Sequence, residues 1–489
     1  MRIAIIGMGV AGVSILRNLA QDARFEAMSV DIYDASRHMG QGIPFQNDSE
    51  ELLINLPSKF MTLNMHRDSE FWDWYQTQSI FKYQHDTFLP RFVFGHYIKD
   101  TLDMILKRHR NVHVIKHKVA EMYALEDASA PFRLTYHVVT EETEAERVYD
   151  YVFLTIGTLS YHDPYELKGT PGFIATPYPT YETLQCVDDD ARVAIVGTGL
   201  ASMDVIRYVT AHHQNLPITV TSRRGILPSV RGDMIDIAFE YLTEHHFEAL
   251  KREHKGIVPL NIALDYFKRD CARYNIDLDT LIHRRTGDVI KDLAYDLAHP
   301  ETLGHFQSML EAVKGEMNWI WNSLCREDQS LFLEKYNRIL KDHSNPMPPE
   351  TAQLIIDCIK DGKVLIRSGL EEVTYSDGVY TFKYEHDDTE VFDVVINATG
   401  AKTQLSTLDE DDRFVLLLED RQLIQAHALG GIQIVPETNE VISPRFGTLR
   451  NMVAIGQLTN GINQARNGVR MILKQSQRAA EAVYDKSTN

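Results

Sequence analysis

The sequence is short of positive charge, of cysteine and of long apolar runs, and each shortage excludes something. Lys and Arg number 50 against 69 Asp and Glu, a net charge of −19. Neither nucleic acid nor an anionic membrane surface is therefore expected as the main partner, because both require clustered cations to neutralise phosphates. The 4 cysteines, Cys186, Cys271, Cys325 and Cys358, are scattered. They form no CxxC and no Cys/His grouping at metal spacing, which argues against a thiol–disulfide relay and a metal centre. His245, His246 and His254 make no HExxH pattern and read as a solvated helix face. No apolar stretch approaches the length of a bilayer span. The apolar start MRIAIIGMGVAGVSIL has a glycine turn inside it and no cleavage site, so it reads as strand and helix and not as a secretion signal. A cytoplasmic protein is expected. At 489 residues and 44% hydrophobic content, two or three domains are expected.

What the chain does have is the same turn twice. MRIAIIGMGVAG opens the sequence and ARVAIVGTGLAS occupies 191–202, each between a short apolar run and an apolar-periodic helix. Ile3 to Ile6 and Val193 to Val196 read as buried parallel strands, the context that gives a glycine-rich turn its meaning. Gly7 and Gly197 permit the tight turn, and Gly9 and Gly199 let backbone approach a pyrophosphate. Gly12 and Ser202 are small enough for close helix-to-strand packing. The helix that follows offers free N–H groups and a positive dipole end to an anion. The alternative is that these residues serve packing alone. Two copies in strand–turn–helix context favour two dinucleotide sites in one polypeptide.

The strand ends after each turn differ in charge. MSVDIYDAS ends at Asp34, about twenty residues beyond the first glycines, where a ribose hydroxyl should bind. A carboxylate there would repel a 2′-phosphate, so FAD or NAD is expected, unless Asp34 is only a solvated acid. ITVTSRRG ends instead in Ser222, Arg223 and Arg224. Guanidinium groups there pair with a 2′-phosphate, so the second site is expected to prefer NADPH. The competing possibility is two solvated surface arginines.

Between and after these units the pattern changes. HMGQGIPFQNDSEELLINLPSKFMTLNM lacks periodicity and reads as an ordered loop, with Gly40 and Gly42 able to admit a flat ring and Asn55 and Asn64 able to hydrogen-bond a heterocycle. Lys59 and Asn64 are candidate substrate contacts on loop position alone. Phe71, Trp72, Trp74 and Tyr75 read as helix packing. Residues 130–156 alternate around an acidic turn and predict a hairpin returning to the sheet, and 157–190 reads as an interdomain linker. From about 231 to 345 the chain becomes charged and helix-periodic, a helical insertion. Strands resume at KVLIRS, YTFKY and VFDVVINATG. Near the C-terminus VAIGQLTNGINQARNGVRMIL repeats strand, glycine turn and helix, so Gly456, Gly461 and their neighbours could stabilise charge on a reduced ring.

These residues resemble the flavoproteins with two dinucleotide domains. GQGIPF with LLINLPSKFMTLN, the SRRGILP turn and PMPPETAQLIIDCIKDGKVLI look most like the FAD/NAD(P)-binding family that includes FAD-dependent urate hydroxylases and aspartate N-monooxygenases. That family is related to the ornithine and lysine N-hydroxylases. The resemblance covers nearly the whole chain. It implies an α/β protein with two Rossmann-like domains, the second inserted in the first: 1–164 and 401–489 for FAD, and 165–400 for NADPH with the helical insertion at about 231–345. It places FAD pyrophosphate at Gly7, Gly9 and Gly12, its ribose at Asp34, and NADPH at Gly197, Gly199, Ser202, Arg223 and Arg224. Gly157 in LTIGT and Gly400 in INATG look like the interdomain glycine motifs. Two departures stand out: the FxGxxxHxxxW fingerprint is absent after Phe173, and Gln457 follows Gly456 where the motif has Asp.

The function expected is a flavin oxidoreductase that spends NADPH, with a monooxygenase acting on a small polar metabolite and dioxygen as the leading reading. That chemistry belongs to the cofactors, and no catalytic residue is nominated. The alternatives are a dehydrogenase or oxidase without oxygen insertion, favoured by the missing fingerprint, and a redox module serving a protein partner. Oligomeric state is left open.

Overall fold

In the computed structural model, residues 1–83, 87–126, 133–142, 146–213, 216–464 and 468–486 are described. Two parallel sheets carry the two glycine turns. The first has six strands in the order Glu440–Ser443, Gly447–Ala454, Tyr151–Leu154, Arg2–Ile6, Ser29–Tyr33 and Val112–Ile115. All pairs are parallel except the outermost, Glu440–Ser443 against Gly447–Ala454. Ile5 lies between Ile32 and Phe153 in register. Ile3, Ala4, Ile5, Val152, Phe153 and Leu154 are completely inaccessible, which is why these strands are continuous apolar runs. Each large side chain so buried contributes roughly 1.5–3 kcal/mol.

One face of this sheet is covered by the helices Val10–Leu19, Arg91–Arg108 and Val469–Lys486. The other is covered by an antiparallel sheet of Val119–Glu126, Leu134–Thr140 and Arg147–Tyr149, together with segments from 405 to 462. The hairpin expected over 130–156 is present as Leu134–Thr140 against Arg147–Tyr149, but it lies in the covering sheet, and only the strand after it returns to the parallel sheet. Leu134–Thr140 alternates buried and half-buried and belongs to that covering sheet, whereas Tyr151–Leu154 is buried throughout and enters the parallel sheet. Two burial patterns of different period follow each other across Asp150. Residues 143–145, at the centre of the expected acidic turn, lie outside the described residues.

The second sheet repeats the plan with five parallel strands, Val364–Arg367, Ile218–Thr221, Val193–Val196, Val394–Asn397 and Phe173–Ile174. Helices Leu200–His212, Val289–Ala298 and Pro349–Lys360 pack on one face, and an antiparallel sheet of Leu370–Ser376, Val379–Tyr384 and Thr389–Phe392 on the other. Between Ile218–Thr221 and Val364–Arg367 the chain runs through helices from Glu244 to Ser344, the longest being Pro300–Asn322. The helix-periodic stretch thus folds as a helical layer with its own apolar interior. The aromatic run lies in helix Glu70–Thr77, with Phe71 and Tyr75 buried against Arg91–Arg108. Among the described residues no helix is long and apolar enough to cross a membrane.

Candidate functional site

The first turn is built by exclusion of side chains. Gly7 has φ +92°, and an added Cβ would overlap the Thr155 carbonyl oxygen. Only glycine fits there. Its N–H donates to the Tyr33 carbonyl at 2.9 Å, while the Thr155 hydroxyl donates back to the Gly7 carbonyl at 2.6 Å. Gly12 packs its Cα against the Gly7 carbonyl, which leaves no room for a side chain. Gly9 caps helix Val10–Leu19 with extended backbone and no side-chain cap, so the first N–H groups of the helix stay available. Asp34 stands at the strand end, where its two carboxylate oxygens accept from the N–H groups of Met8 and Ser36, each at 2.8 Å. The acid thus braces the turn, and two oxygens with one bond each keep lone pairs for a hydroxyl.

Around this turn lies a cleft of about 540 Å³, lined by Gly7, Gly9, Asp34, Gly42, Gly157 and Gly456 among others. At Gly157 and Gly456, φ is +80° and +90°, and nothing lies within 4 Å of where a Cβ would stand. The backbone therefore offers bare surface to whatever enters. Sequence reasoning missed the remaining walls, which come from His117 to Val119 and from Asp411, Asp412, Phe414 and Val415. It also missed Gly95, whose Cβ would overlap the Phe45 carbonyl oxygen and push the Gly42–Phe45 loop off its helix. His38, on the cleft wall, has its pKa lowered by burial and by Arg37. Gly40 is not on that wall: at φ +90° it packs against Lys99 and Leu102, and so serves the loop's seat.

The second turn repeats the construction. Gly197 has φ +116°, and its Cβ would stand 2.5 Å from the Ala398 carbonyl oxygen. Its N–H donates to the Thr221 carbonyl at 2.8 Å, as Gly7 does to Tyr33. Ser202 is buried, and its hydroxyl donates to the Gly197 carbonyl at 2.6 Å, a bond that the glycine in the first turn cannot make. Gly199 faces open space, as does Gly400. Ser222 meets the Thr198 hydroxyl at 3.1 Å and accepts from the Gly225 N–H. Arg223 is exposed, whereas Arg224 is held by Asp342 at 2.7 Å.

A second cavity, about 680 Å³, shares Pro44, Phe45 and Val469 with the first cleft and borders Leu200 and Ala201 just past the second turn. Its opposite wall comes from the helical layer, including Lys314 and Leu340. Asn55 lines it, but the other loop candidates do not. Lys59 is exposed, with its ammonium over the Trp72 ring at 5.4 Å. Asn64 turns back on its own chain, accepting from the His66 N–H at 3.0 Å. Gly461 serves packing, with its carbonyl taken by the Trp321 indole at 3.0 Å and no space for a Cβ beside His427. Between helices Arg91–Arg108 and Leu200–His212 at this cavity, Arg91 pairs with Asp204 at 2.7 Å, and Tyr178 donates to the same carboxylate at 2.5 Å. Burial opposes the Arg91 charge, yet Asp204 outweighs it and raises the guanidinium pKa.

Residues 4–159 match a family model described as FAD-NAD(P)-binding. Similar solved structures span nearly the whole chain. The ornithine hydroxylase from Pseudomonas aeruginosa aligns at 11% identity and TM-score 0.60, covering 99% of this chain and 98% of its own. The L-lysine 6-monooxygenase from Pseudomonas syringae aligns at 14% identity and TM-score 0.60, covering 99% of each chain. A bacillithiol disulfide reductase from Staphylococcus aureus aligns at 11% identity and TM-score 0.52, covering 99% and 98%. The fold is that of the FAD/NAD(P)-binding flavoproteins. No curated protein matches the sequence.

Proposed function

We propose that this protein is an FAD-dependent, NADPH-reduced monooxygenase acting on a small, polar, nitrogen-bearing metabolite. The observation that carries the reading is the pair of glycine turns on two sheets, with one cavity bordering the first cleft at Pro44, Phe45 and Val469 and the helix after the second turn at Leu200. The N-hydroxylating type is preferred on the likeness to ornithine and lysine hydroxylases; a purine-hydroxylating type is kept as its variant. We assign 1–164 and 401–489 to the FAD-binding domain and 165–400 to the NADPH-binding domain.

The residues present fit a dinucleotide, because the side-chain-free surface at Gly9, Gly157 and Gly456 lies on the wall of the first cleft. Gly7, Gly9 and the N–H groups at the start of Val10–Leu19 would hold the FAD pyrophosphate, and Asp34 its adenosine ribose. Gly197 and Gly199 would hold NADPH, with Ser202 bracing their turn from inside and Arg223 free for the 2′-phosphate. Bound FAD would supply hydride acceptance from NADPH and, once reduced, activation of dioxygen. The chain's part is to bring the two nucleotides to one cavity, to exclude water there and to orient the substrate nitrogen.

The test is NADPH oxidation by the flavin-loaded protein against a panel of amino acids, polyamines and purines, with peroxide release recorded in parallel. Coupled turnover with one substrate is expected, with labelled dioxygen entering the product. The missing FxGxxxHxxxW after Phe173 favours a second reading, an oxidase or dehydrogenase without oxygen insertion. NADPH use that releases peroxide stoichiometrically with every substrate would decide for it.

A further inference from the structure

The 680 Å³ cavity holds a guanidinium with no carboxylate in contact with it among the described residues; Glu311, paired with Lys314, acts on it only at longer range. Arg231 is only 5% exposed, yet among the described residues no carboxylate lies within 4.0 Å of it. Its Nε donates to the Asn55 carbonyl at 3.0 Å, and one terminal nitrogen has only the Met234 sulfur at 3.5 Å. Burying an unpaired guanidinium is unfavourable, and removing it from water pulls its pKa down to about 10. The other charges on this cavity cancel: Arg91 pairs with Asp204, and Lys314 with Glu311 at 2.9 Å. Lys341 adds a further cation, exposed at the surface. Among the described residues the cavity therefore has a cationic excess, with Arg231 as its buried member.

The backbone presenting Arg231 is clamped. The Val230 N–H donates to the buried Asp296 at 3.0 Å, the Arg231 N–H to the Met347 carbonyl at 2.8 Å, and the Gly232 N–H to Gln307 at 3.0 Å. Gly232 and Gly304 are so close to the facing backbone that neither admits a Cβ. A side chain held this firmly loses little further freedom when an anion arrives.

We propose that Arg231 anchors the carboxylate of the substrate, leaving the substrate's opposite end at the Pro44–Phe45–Val469 wall shared with the first cleft. The identity of that anion as substrate rests on the oxidoreductase reading; the anion selectivity of the cavity does not. The phosphates of NADPH are the competing source of negative charge, but the second turn already supplies them with helix N–H groups at Leu200. Among the described residues the Arg231 side chain hydrogen-bonds Asn55 and Met234 and no residue of the second turn.

The experiment titrates flavin-loaded wild type and Arg231→Ala, in carboxylate-free buffer, with ornithine against putrescine and lysine against cadaverine. Members of each pair differ by one carboxylate. At least one amino acid should bind wild type about ten-fold more tightly than its decarboxylated partner, as one charge-assisted contact predicts. Arg231→Ala should bring that ratio to within about two-fold while NADP⁺ affinity stays within about two-fold of wild type. No carboxylate preference in wild type, or an unchanged ratio in the variant, overturns the proposal. So does a loss of about ten-fold in NADP⁺ affinity with amino-acid binding intact, which gives Arg231 to the coenzyme. If Arg231→Ala does not fold, Arg231→Lys and Arg231→Met replace it: preference kept by lysine and lost by methionine supports the assignment, and equal behaviour of the two refutes it. Flavin content and bleaching by NADPH, recorded on the same preparations, judge the oxidoreductase reading separately.

Discussion

The two glycine turns share strand, turn and helix but differ in what surrounds them. The first is walled by distant segments, from 38–45, 117–119, 411–415, 455–457 and 469–472, and its bracing acid is fixed by two backbone amides. The second leaves Gly199 and Arg223 exposed, and a serine hydroxyl ties its turn together. Enclosure suits a ligand that stays and openness one that exchanges. On the proposed reading the first turn retains FAD, while the second receives and releases NADPH at each turnover.

The comparison breaks first at the glycines themselves. Gly7→Ala forces a Cβ into the Thr155 carbonyl at φ +92°, and Gly12→Ser does the same against Gly7. Each should cost about 3 kcal/mol or more and yield protein without flavin, read by visible absorbance and chemical denaturation. Gly199→Ala, in open space with extended backbone, should fold normally and stay yellow while its KM for NADPH rises.

Acid should separate the two regions next. His343 lies beside Asp342, the partner of Arg224, and burial with Arg284 and Arg285 lowers its pKa from 6.5 to about 3. The unfolded chain takes up its proton below pH 6.5 and the folded chain does not, so stability present at neutral pH is lost as pH falls from 6.5 towards 3. The loss should reach about 2 kcal/mol by pH 5. His343→Asn should flatten that part of the denaturation profile; an identical profile would mean that the ring is solvated.

Smaller effects concern coenzyme choice. Arg223→Ala should reduce the preference for NADPH over NADH by about 1.5–3 kcal/mol in kcat/KM. Arg224→Ala should do less, because Asp342 already engages that guanidinium. Ser202→Gly should cost about 1 kcal/mol, the value of one buried hydrogen bond, and leave flavin retention untouched.

What could be read in the sequence was local. The strands at Arg2–Ile6 and Val193–Val196, the turns after them and the helices from Glu244 to Ser344 each follow from a period or a glycine spacing within a few residues, whereas 231–243 of the helix-periodic stretch forms no helix. Burial patterns set by distant partners could not be read this way. The strand Tyr151–Leu154 and the covering sheet beside it have different periods because they face different neighbours, a fact absent from either segment alone. The same limit misplaced Lys59 and Asn64: loop position and hydrogen-bonding capacity say nothing about where a side chain points, and Asn64 satisfies itself locally. Arg231 carried no signal at all. It is one arginine in a charged stretch, and only the clamp from Asp296, Gln307 and Met347 makes it conspicuous.

The six-stranded sheet takes Tyr151–Leu154 and Gly447–Ala454 as neighbours, almost 300 residues apart in sequence. During translation Gly7 leaves the ribosome long before Gly456, whereas every strand of the second sheet lies between 173 and 397. The earlier-made pocket is therefore the last to be completed, and on the proposed reading flavin loading is a maturation step that awaits nearly the entire polypeptide.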